Sequence, residues 1–156
     1  MHIHLIAVGK NMPSWVSEGF DEYSRRMPGS CGMQLTEITA GKRGKGADIQ
    51  RALEHEGERL LAAIPKGCLV IVTDVQGTQW STEQLANKMQ DWMQQGRDIA
   101  VLVGGPEGCS KSVRDRADVL WSLSMLTMPH PMVRVVLAEQ LYRAHSIIMN
   151  HPYHRQ

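Results

Sequence analysis

Apolar and polar residues alternate along this chain in blocks that predict strands and helices in turn. Short apolar runs rich in β-branched residues predict buried strands, because a parallel strand is covered on both faces. These runs lie at residues 3–8, 33–38, 68–73, 99–103 and 120–126, and residues 74–78, which include a glycine, predict a loop after the third run. Longer segments with apolar residues at helical spacing predict helices at residues 13–27, 47–64, 81–96, 111–117 and 131–149. The alternation predicts an α/β fold with a mostly parallel sheet and flanking helices.

Size and composition indicate one globular domain over residues 1–156, with 42% hydrophobic and 21% charged residues. No apolar run approaches the roughly 20 residues that cross a bilayer, and the N-terminus lacks the features of a signal peptide. The cysteines are Cys31, Cys68 and Cys109, and their wide spacing argues against both a disulfide framework and a zinc site. We therefore expect a cytoplasmic protein with no metal and no membrane association.

The most informative motif is Gly-Gly-Pro-Glu-Gly at residues 104–108, where the fourth apolar run stops. Glycines let a ligand approach the main chain closely. A strand that ends in a glycine-rich turn before a helix is where open α/β folds bind nucleotide-like ligands. The motif is neither GxGxxG nor a P-loop. It predicts a ligand site, with a plain strand-to-helix turn as the alternative.

A second candidate ligand segment, residues 123–131, mixes small hydroxyl residues with bulky apolar ones. The side chains of Leu126 and Met128 suit the face of an adenine or a similar flat ring, and backbone amides can read its edge. The alternative is a core strand whose serines bond to neighbouring backbone.

Two local patches are basic, although the net charge is only +1. In the basic loop, residues 41–46, glycines lie on both sides of Lys42, Arg43 and Lys45 and let these cations conform to a phosphate backbone. The second patch is the C-terminal segment from residue 134, rich in arginine and histidine. Solvated surface is the alternative for the loop.

The C-terminal residues Tyr153, His154 and Arg155 combine three useful chemistries directly after the last helix. Tyrosine stacks on bases, histidine exchanges protons near neutral pH, and arginine grips phosphate. The histidine spacing matches no zinc pattern. A solvated tail without a function is the alternative.

Five segments taken in order carry a resemblance to a known family. They read Ala-Gly-Lys-Arg-Gly at 40–44, Gly-Gly-Pro-Glu-Gly at 104–108, Leu-Thr-Met-Pro-His at 126–130, Glu-Gln-Leu-Tyr-Arg-Ala at 139–144 and Pro-Tyr-His-Arg at 152–155. Together they closely resemble the ribosomal RNA large subunit methyltransferase H family of SPOUT enzymes. The glycine motif is shared across SPOUT enzymes, whereas the terminal Pro-Tyr-His-Arg is much more specific.

The resemblance implies a SPOUT fold with a C-terminal trefoil knot, a rare exception to unthreaded chains. It implies that S-adenosylmethionine donates a methyl group to N3 of a pseudouridine in 23S rRNA, on the assembled ribosome. It also implies a homodimer, in which the tail of one chain completes the pocket of the other. The implied cofactor residues are Thr73, Asp74, Gly104, Gly105, Glu107, Ser124, Met125, Leu126, Thr127, Met128 and Pro129.

The implied reaction needs a proton to leave the N3–H of the base before or during methyl transfer. On this interpretation His154 handles the proton, Arg155 or Arg143 stabilises phosphate or the anionic base, and Tyr153 stacks on the flipped-out base. Lys42, Arg43 and Lys45 extend the RNA footprint. Glu107 orients either the glycine-rich turn or the cationic end of the cofactor.

Apolar residues surround much of the last predicted helix, which independently indicates burial on more than one side. A second subunit accounts for this pattern, and a central core helix of a monomer is the alternative. Two other functions predict different ligands. An RNA-binding module would not bind S-adenosylmethionine, and another nucleotide-dependent α/β enzyme would bind ATP or a dinucleotide.

Overall fold

Five parallel strands form one sheet, as the apolar runs predict. The computed structural model describes residues 1–155. The strands are β1 (Ile3–Val8), β2 (Met33–Ile38), β3 (Leu69–Gln79), β4 (Ile99–Val103) and β5 (Val119–Ser122). Their order across the sheet is β2-β1-β4-β3-β5, and every neighbouring pair is parallel.

Helices cover both faces of the sheet. They are α1 (Ser14–Ser24), α2 (Ile49–Ala62), α3 (Thr82–Gln94), α4 (Lys111–Arg116) and α5 (His130–Ile148). Helices α1 and α3 pack against α5 on one face, while α2 contacts α4 on the other. Short 3₁₀ turns lie at Gly29–Cys31 and Pro152–Arg155. Within residues 1–155, no helix has both the length and the apolar character to cross a membrane.

The core lies in two layers, one on each side of the sheet. All of β4 is buried, and successive residues along it face opposite layers, as the pleat requires. Val101 packs in the layer that contains Phe20 and Leu137, while Leu102 packs in the layer that contains Leu60. Because both faces of the sheet are covered, the strands appear in the sequence as continuous apolar runs.

The end of the sheet near β5 differs from the sequence-based prediction. Residues 74–78, expected to form a loop, belong to β3, and both Thr73 and Thr78 lie opposite Trp121 across an irregularity. Gly77 permits this close pairing, since a Cβ there would lie 2.7 Å from the Trp121 nitrogen. Conversely β5 stops at Ser122, four residues before the predicted end, because the Ser124 hydroxyl accepts a hydrogen bond from the Leu126 N–H at 3.0 Å and closes a local turn.

A buried arginine fastens α5 to the carboxyl end of β1. Arg134 is fully buried and donates to the carbonyls of Val8 at 3.0 Å and Gly9 at 2.8 Å. It also forms an ion pair with Glu37 at 2.7 Å. These bonds satisfy two strand-end carbonyls and hold the first turns of α5 beside the edge of the sheet where the candidate site lies.

Candidate functional site

Three chain segments at the carboxyl edge of the sheet enclose a cleft of about 870 Å³. They are residues 73–76 of β3, residues 103–109 after β4, and residues 121–130 from β5 to the start of α5. The volume falls within the roughly 300–1,000 Å³ typical of small-molecule sites. Parallel α/β sheets bind their ligands at this edge.

The cleft brings together nearly all of the residues predicted to bind the cofactor. Met125 is the exception, because it lies outside the lining and is 90% exposed. The predicted residues that line the cleft are Thr73, Asp74, Gly104, Gly105, Glu107, Ser124, Leu126, Thr127, Met128 and Pro129. Leu126, Met128 and Val133 are among the apolar residues of the lining, and Leu126 is 75% exposed.

The glycine-rich turn, residues 104–108, closes tightly on itself. The Gly108 N–H donates to the Gly105 carbonyl at 3.0 Å, and Gly108 has a φ of +83°. A Cβ at Gly104 would overlap the Gly108 carbonyl and come within 2.9 Å of the Cys109 sulfur. Even a methyl group at Gly104 would therefore force the turn to move.

The thiol of Cys109 follows the turn and stays protonated near neutral pH. Burial raises its pKa to about 12, and the nearby Asp74 carboxylate adds to the effect. A thiol with so high a pKa is a poor nucleophile.

An ion-pair cluster joins the basic loop to the glycine-rich turn. Arg43 donates to Glu107 at 2.6 and 2.9 Å and to Glu56 at 2.9 Å, with a second, shorter contact to Glu56. Hydrogen bonding to Arg43 lowers the pKa of Glu107. Lys42 and Lys45 are exposed, whereas the Arg43 side chain is only 21% exposed.

His130, the first residue of α5, lines the cleft. Burial lowers its pKa, and the positive charges of Arg134 and Arg43 lower it further. Its Nδ1 atom is buried and has no hydrogen-bond partner among residues 1–155. His130 is therefore a neutral imidazole near pH 7 that offers a buried polar atom beside the cleft.

The predicted catalytic residues form a separate C-terminal cluster at the other end of α5. The Tyr153 hydroxyl donates to Glu139 at 3.0 Å, and Arg143 donates to the same oxygen at 2.8 Å. The Tyr153 ring lies 4.7 Å from the Tyr142 ring centre and 4.9 Å from the Arg143 guanidinium. Burial is the largest of the effects that raise the pKa of Tyr153, and hydrogen bonds with Tyr23 and Glu139 raise it further. This phenol therefore stays protonated.

His154 and Arg155 complete the C-terminal cluster in the turn Pro152–Arg155. His154 is half-buried, and its Nδ1 atom has no hydrogen-bond partner within the described chain. Arg155 is exposed. Neither is tied to an acidic partner by any described contact; the Nδ1 atom of His154 is itself buried, whereas the Arg155 side chain is open to solvent.

One chain does not bring the cleft and the C-terminal cluster together. None of Arg143, Tyr153, His154 and Arg155 lines the cleft. Helix α5 contributes Val133 to the cleft and Arg143 to the cluster, and ten helical residues span about 15 Å. The predicted site residues therefore fall into two groups within a single subunit.

Sequence reasoning gave no site role to Glu56 or His130, and it wrongly counted Arg134 in the basic C-terminal patch, since Arg134 is fully buried and bonded within the fold. A signal for Glu56 was present, because it interrupts a buried stripe that includes Ala52 and Leu60 at four-residue spacing. Arg134 lies in the same way among the buried positions of α5. A charged residue on an apolar helix face indicates a buried ion pair.

Comparison with known proteins identifies the class of protein to which this chain belongs. Residues 1–154 match the family described as predicted SPOUT methyltransferases. A probable methyltransferase from Bordetella pertussis Tohama I superimposes with a TM-score of 0.59 over 91% of this chain and 95% of its own, at 11% identity. That likeness bears on the fold alone.

Close relatives narrow the class further. The chain is 56% identical to the ribosomal RNA large subunit methyltransferase H of Thioalkalivibrio sulfidiphilus, over the whole of both chains. It is 53% identical to the protein of the same name from Methylococcus capsulatus, over 99% of this chain and 100% of that one. The chain therefore belongs to the ribosomal RNA large subunit methyltransferase H family of SPOUT methyltransferases.

Proposed function

We propose that this protein transfers a methyl group from S-adenosylmethionine to N3 of a pseudouridine in 23S rRNA, acting on the assembled ribosome in the cytoplasm. The observation that carries the proposal is the convergence of three separate chain segments on one cleft at the carboxyl edge of the sheet. Family membership adds the methyltransferase class, and the relatives named above are large-subunit rRNA methyltransferases.

The cleft suits S-adenosylmethionine chemically. Leu126 and Met128 offer apolar surface to the adenine, while the bare backbone at Gly104 and Gly105 permits close approach of the ligand. The buried Nδ1 of His130 offers a polar partner. When bound, S-adenosylmethionine supplies a methyl group on a positively charged sulfur. Among the described residues, no three His, Cys, Asp or Glu side chains are grouped as metal ligands.

The C-terminal cluster supplies groups that act on the base. We assign removal of the N3 proton to His154, whose Nδ1 is unpartnered among residues 1–155. Arg143 and Arg155 stabilise the anionic base or a neighbouring phosphate. Tyr153 stays protonated and is half-buried, which leaves part of its ring for stacking on the flipped-out base.

The basic loop binds RNA phosphates through its exposed lysines. Lys42 and Lys45 point their charge toward solvent from a loop that contains Gly41, Gly44 and Gly46. Phosphate contacts of this kind position the RNA and make binding sensitive to salt. Arg43, predicted with them, is engaged by Glu56 and Glu107, so it contributes to RNA binding less directly than the lysines do.

A homodimer unites the two groups of site residues. Apolar side chains stay exposed at the cleft, on α5 and directly after α5, with Leu126 75%, Met132 42% and Met149 54% exposed. A second subunit covers such surface. We propose that the C-terminal cluster of one chain reaches the cleft of its partner. We also propose that the single domain closes as a trefoil knot around the cleft, as the family resemblance implies.

Methyl transfer to ribosomes tests this proposal. Labelled S-adenosylmethionine is incubated with the protein and with ribosomes that lack the modification, beside free rRNA, and nucleosides are identified by mass spectrometry. We expect label in N3-methylpseudouridine from ribosomes and little from free rRNA. Label in another nucleoside would contradict the proposed substrate. If the protein neither transferred label nor bound S-adenosylmethionine, the result would favour an RNA-binding module.

A further inference from the structure

The guanidinium of Arg43 bridges a buried carboxylate and a carboxylate at the cleft. We propose that Arg43 is a positioning residue for the cofactor cleft: anchored by Glu56, it holds Glu107 and thereby fixes the glycine-rich turn where S-adenosylmethionine binds. This inference rests on the proposed function, since it assumes that the turn binds that cofactor. It assigns Arg43 a task different from that of Lys42 and Lys45 in the same loop.

The anchor is the buried side of the bridge. Glu56 is 2% exposed, and it accepts hydrogen bonds from Arg43 and from the Gly41 N–H at 2.8 Å. Gly41 itself is pressed against α2, because a Cβ there would lie 2.7 Å from the Ala52 Cα. The basic loop is therefore seated rigidly on α2 at the point where Arg43 leaves it.

The other side of the bridge reaches the glycine-rich turn. Arg43 donates to Glu107 through both Nε and Nη2, at 2.9 and 2.6 Å. Its Nη2 would lie 3.1 Å from a Cβ built on Gly105, so the guanidinium also lies directly against the backbone of the turn. Arg43 thus lies against the turn at two positions of the cleft lining, Gly105 and Glu107.

Among residues 1–155, few other hydrogen bonds hold the turn in place. It contains one backbone hydrogen bond of its own, from the Gly108 N–H to the Gly105 carbonyl. Glycines leave the main chain many accessible conformations, so an external restraint has a large effect on the order of such a turn. A fork of charge-assisted hydrogen bonds from arginine supplies both energy and direction.

The test compares cofactor affinity with fold stability in the full chain. Arg43→Gln alone leaves Glu56 charged and buried without its partner, which destabilises the fold. The informative variant is therefore the double variant Arg43→Gln/Glu56→Gln. Its two side-chain amides are uncharged and can hydrogen-bond to each other, so no buried charge is left without a partner. The Kd of S-adenosylmethionine is measured by calorimetry without RNA, and the unfolding temperature is measured beside it.

We expect the double variant to unfold near the wild-type temperature while its Kd rises about tenfold. Glu107→Gln, which leaves Glu56 paired, should raise the Kd by a similar factor. Adding Glu107→Gln to the double variant should change the Kd little further, since both remove the same restraint. Arg51→Gln is the matched control, because it removes an exposed positive charge from α2 and should keep the wild-type Kd.

The inference would be overturned if the folded double variant bound S-adenosylmethionine with the wild-type Kd. It would also be overturned if the triple variant raised the Kd by the product of the two separate factors. If the double variant does not fold, Glu107→Gln decides, and an unchanged Kd there overturns the inference. Wild-type protein that binds no S-adenosylmethionine would instead overturn the proposed function, and this inference with it. The wild-type measurement therefore separates the two failures.

Discussion

At the scale of single residues, the proposed chemistry depends most on His154. Its imidazole is half-buried in the C-terminal turn, and its Nδ1 has no partner among residues 1–155. We expect His154→Ala to lower kcat about 100-fold near neutral pH, a typical loss when a general base is removed. The measurement is kcat for ribosome methylation across the neutral pH range.

The matched control is His55→Ala, which removes an exposed histidine from α2 and should leave kcat unchanged. Thermal unfolding of both variants verifies that each is folded. Full turnover by His154→Ala at every pH would remove the proton-transfer assignment and leave His154 a structural role only.

The sequence predicts individual residues well where local chemistry decides their role. Glycines and a proline can be recognised as a tight turn without knowledge of the fold, and residues 104–108 do line the cleft. The bridge from Arg43 to Glu107 could not be predicted in this way, because the two residues lie 64 positions apart. Only the packing of α2 against the sheet brings Glu56 between them.

At the scale of elements, α5 makes stability depend on pH through a buried histidine. His145 is 8% exposed, and burial lowers its pKa below the ordinary value of 6.5. The folded chain therefore binds a proton less readily than the unfolded chain. The associated stability is present in full above pH 6.5 and is lost as the pH falls through the lowered pKa.

We accordingly expect the free energy of unfolding to fall as the pH drops below 6.5, before the carboxyl groups titrate. His130 has a pKa lowered in the same direction and adds to the effect. Urea denaturation at several pH values should show a smaller loss in His145→Gln, and wild-type behaviour in the exposed control His55→Gln. An equal loss in His145→Gln and wild type would contradict this account.

The sequence predicts elements best where capping and periodicity agree. The helix from Thr82 begins at a capping box, in which the Gln84 N–H donates to Ser81 and the Ser81 N–H donates to Gln84. The second half of β3 was predicted wrongly as a loop because its residues are largely polar and exposed. Its pairing depends on the contact between Gly77 and β5, which no local pattern reveals.

At the scale of the whole molecule, the proposed reaction requires two chains for each complete site. Gly104→Ala disrupts the cleft, because its Cβ overlaps the Gly108 carbonyl, and His154→Ala disrupts the C-terminal cluster. Each variant alone should be nearly inactive. Coexpression should restore about a quarter of the wild-type activity, because half of a random mixture forms mixed dimers, each with one intact composite site.

No recovery in a preparation shown to contain mixed dimers would place both groups of residues within one chain. A mass that corresponds to a monomer under the assay conditions would contradict the composite site more directly. Multi-angle light scattering provides that mass for the wild type and for each variant.

The overall architecture could be predicted only in part from the chain. Strand–helix alternation correctly indicated a mostly parallel sheet with flanking helices. The order β2-β1-β4-β3-β5 could not be predicted from the apolar pattern, because similarly buried strands give similar apolar runs in any order. The trefoil knot and the homodimer came from the family resemblance and stay predictions.

The proposed function depends above all on the cleft as the binding site of the methyl donor for rRNA modification. The most direct test is methyl transfer from labelled S-adenosylmethionine to unmodified ribosomes by wild type, Gly104→Ala and the control Gly29→Ala, whose Cβ would meet nothing within 4 Å. We predict N3-methylpseudouridine with wild type and with Gly29→Ala, and a loss of at least tenfold with Gly104→Ala. Equal labelling by all three proteins would contradict the claim.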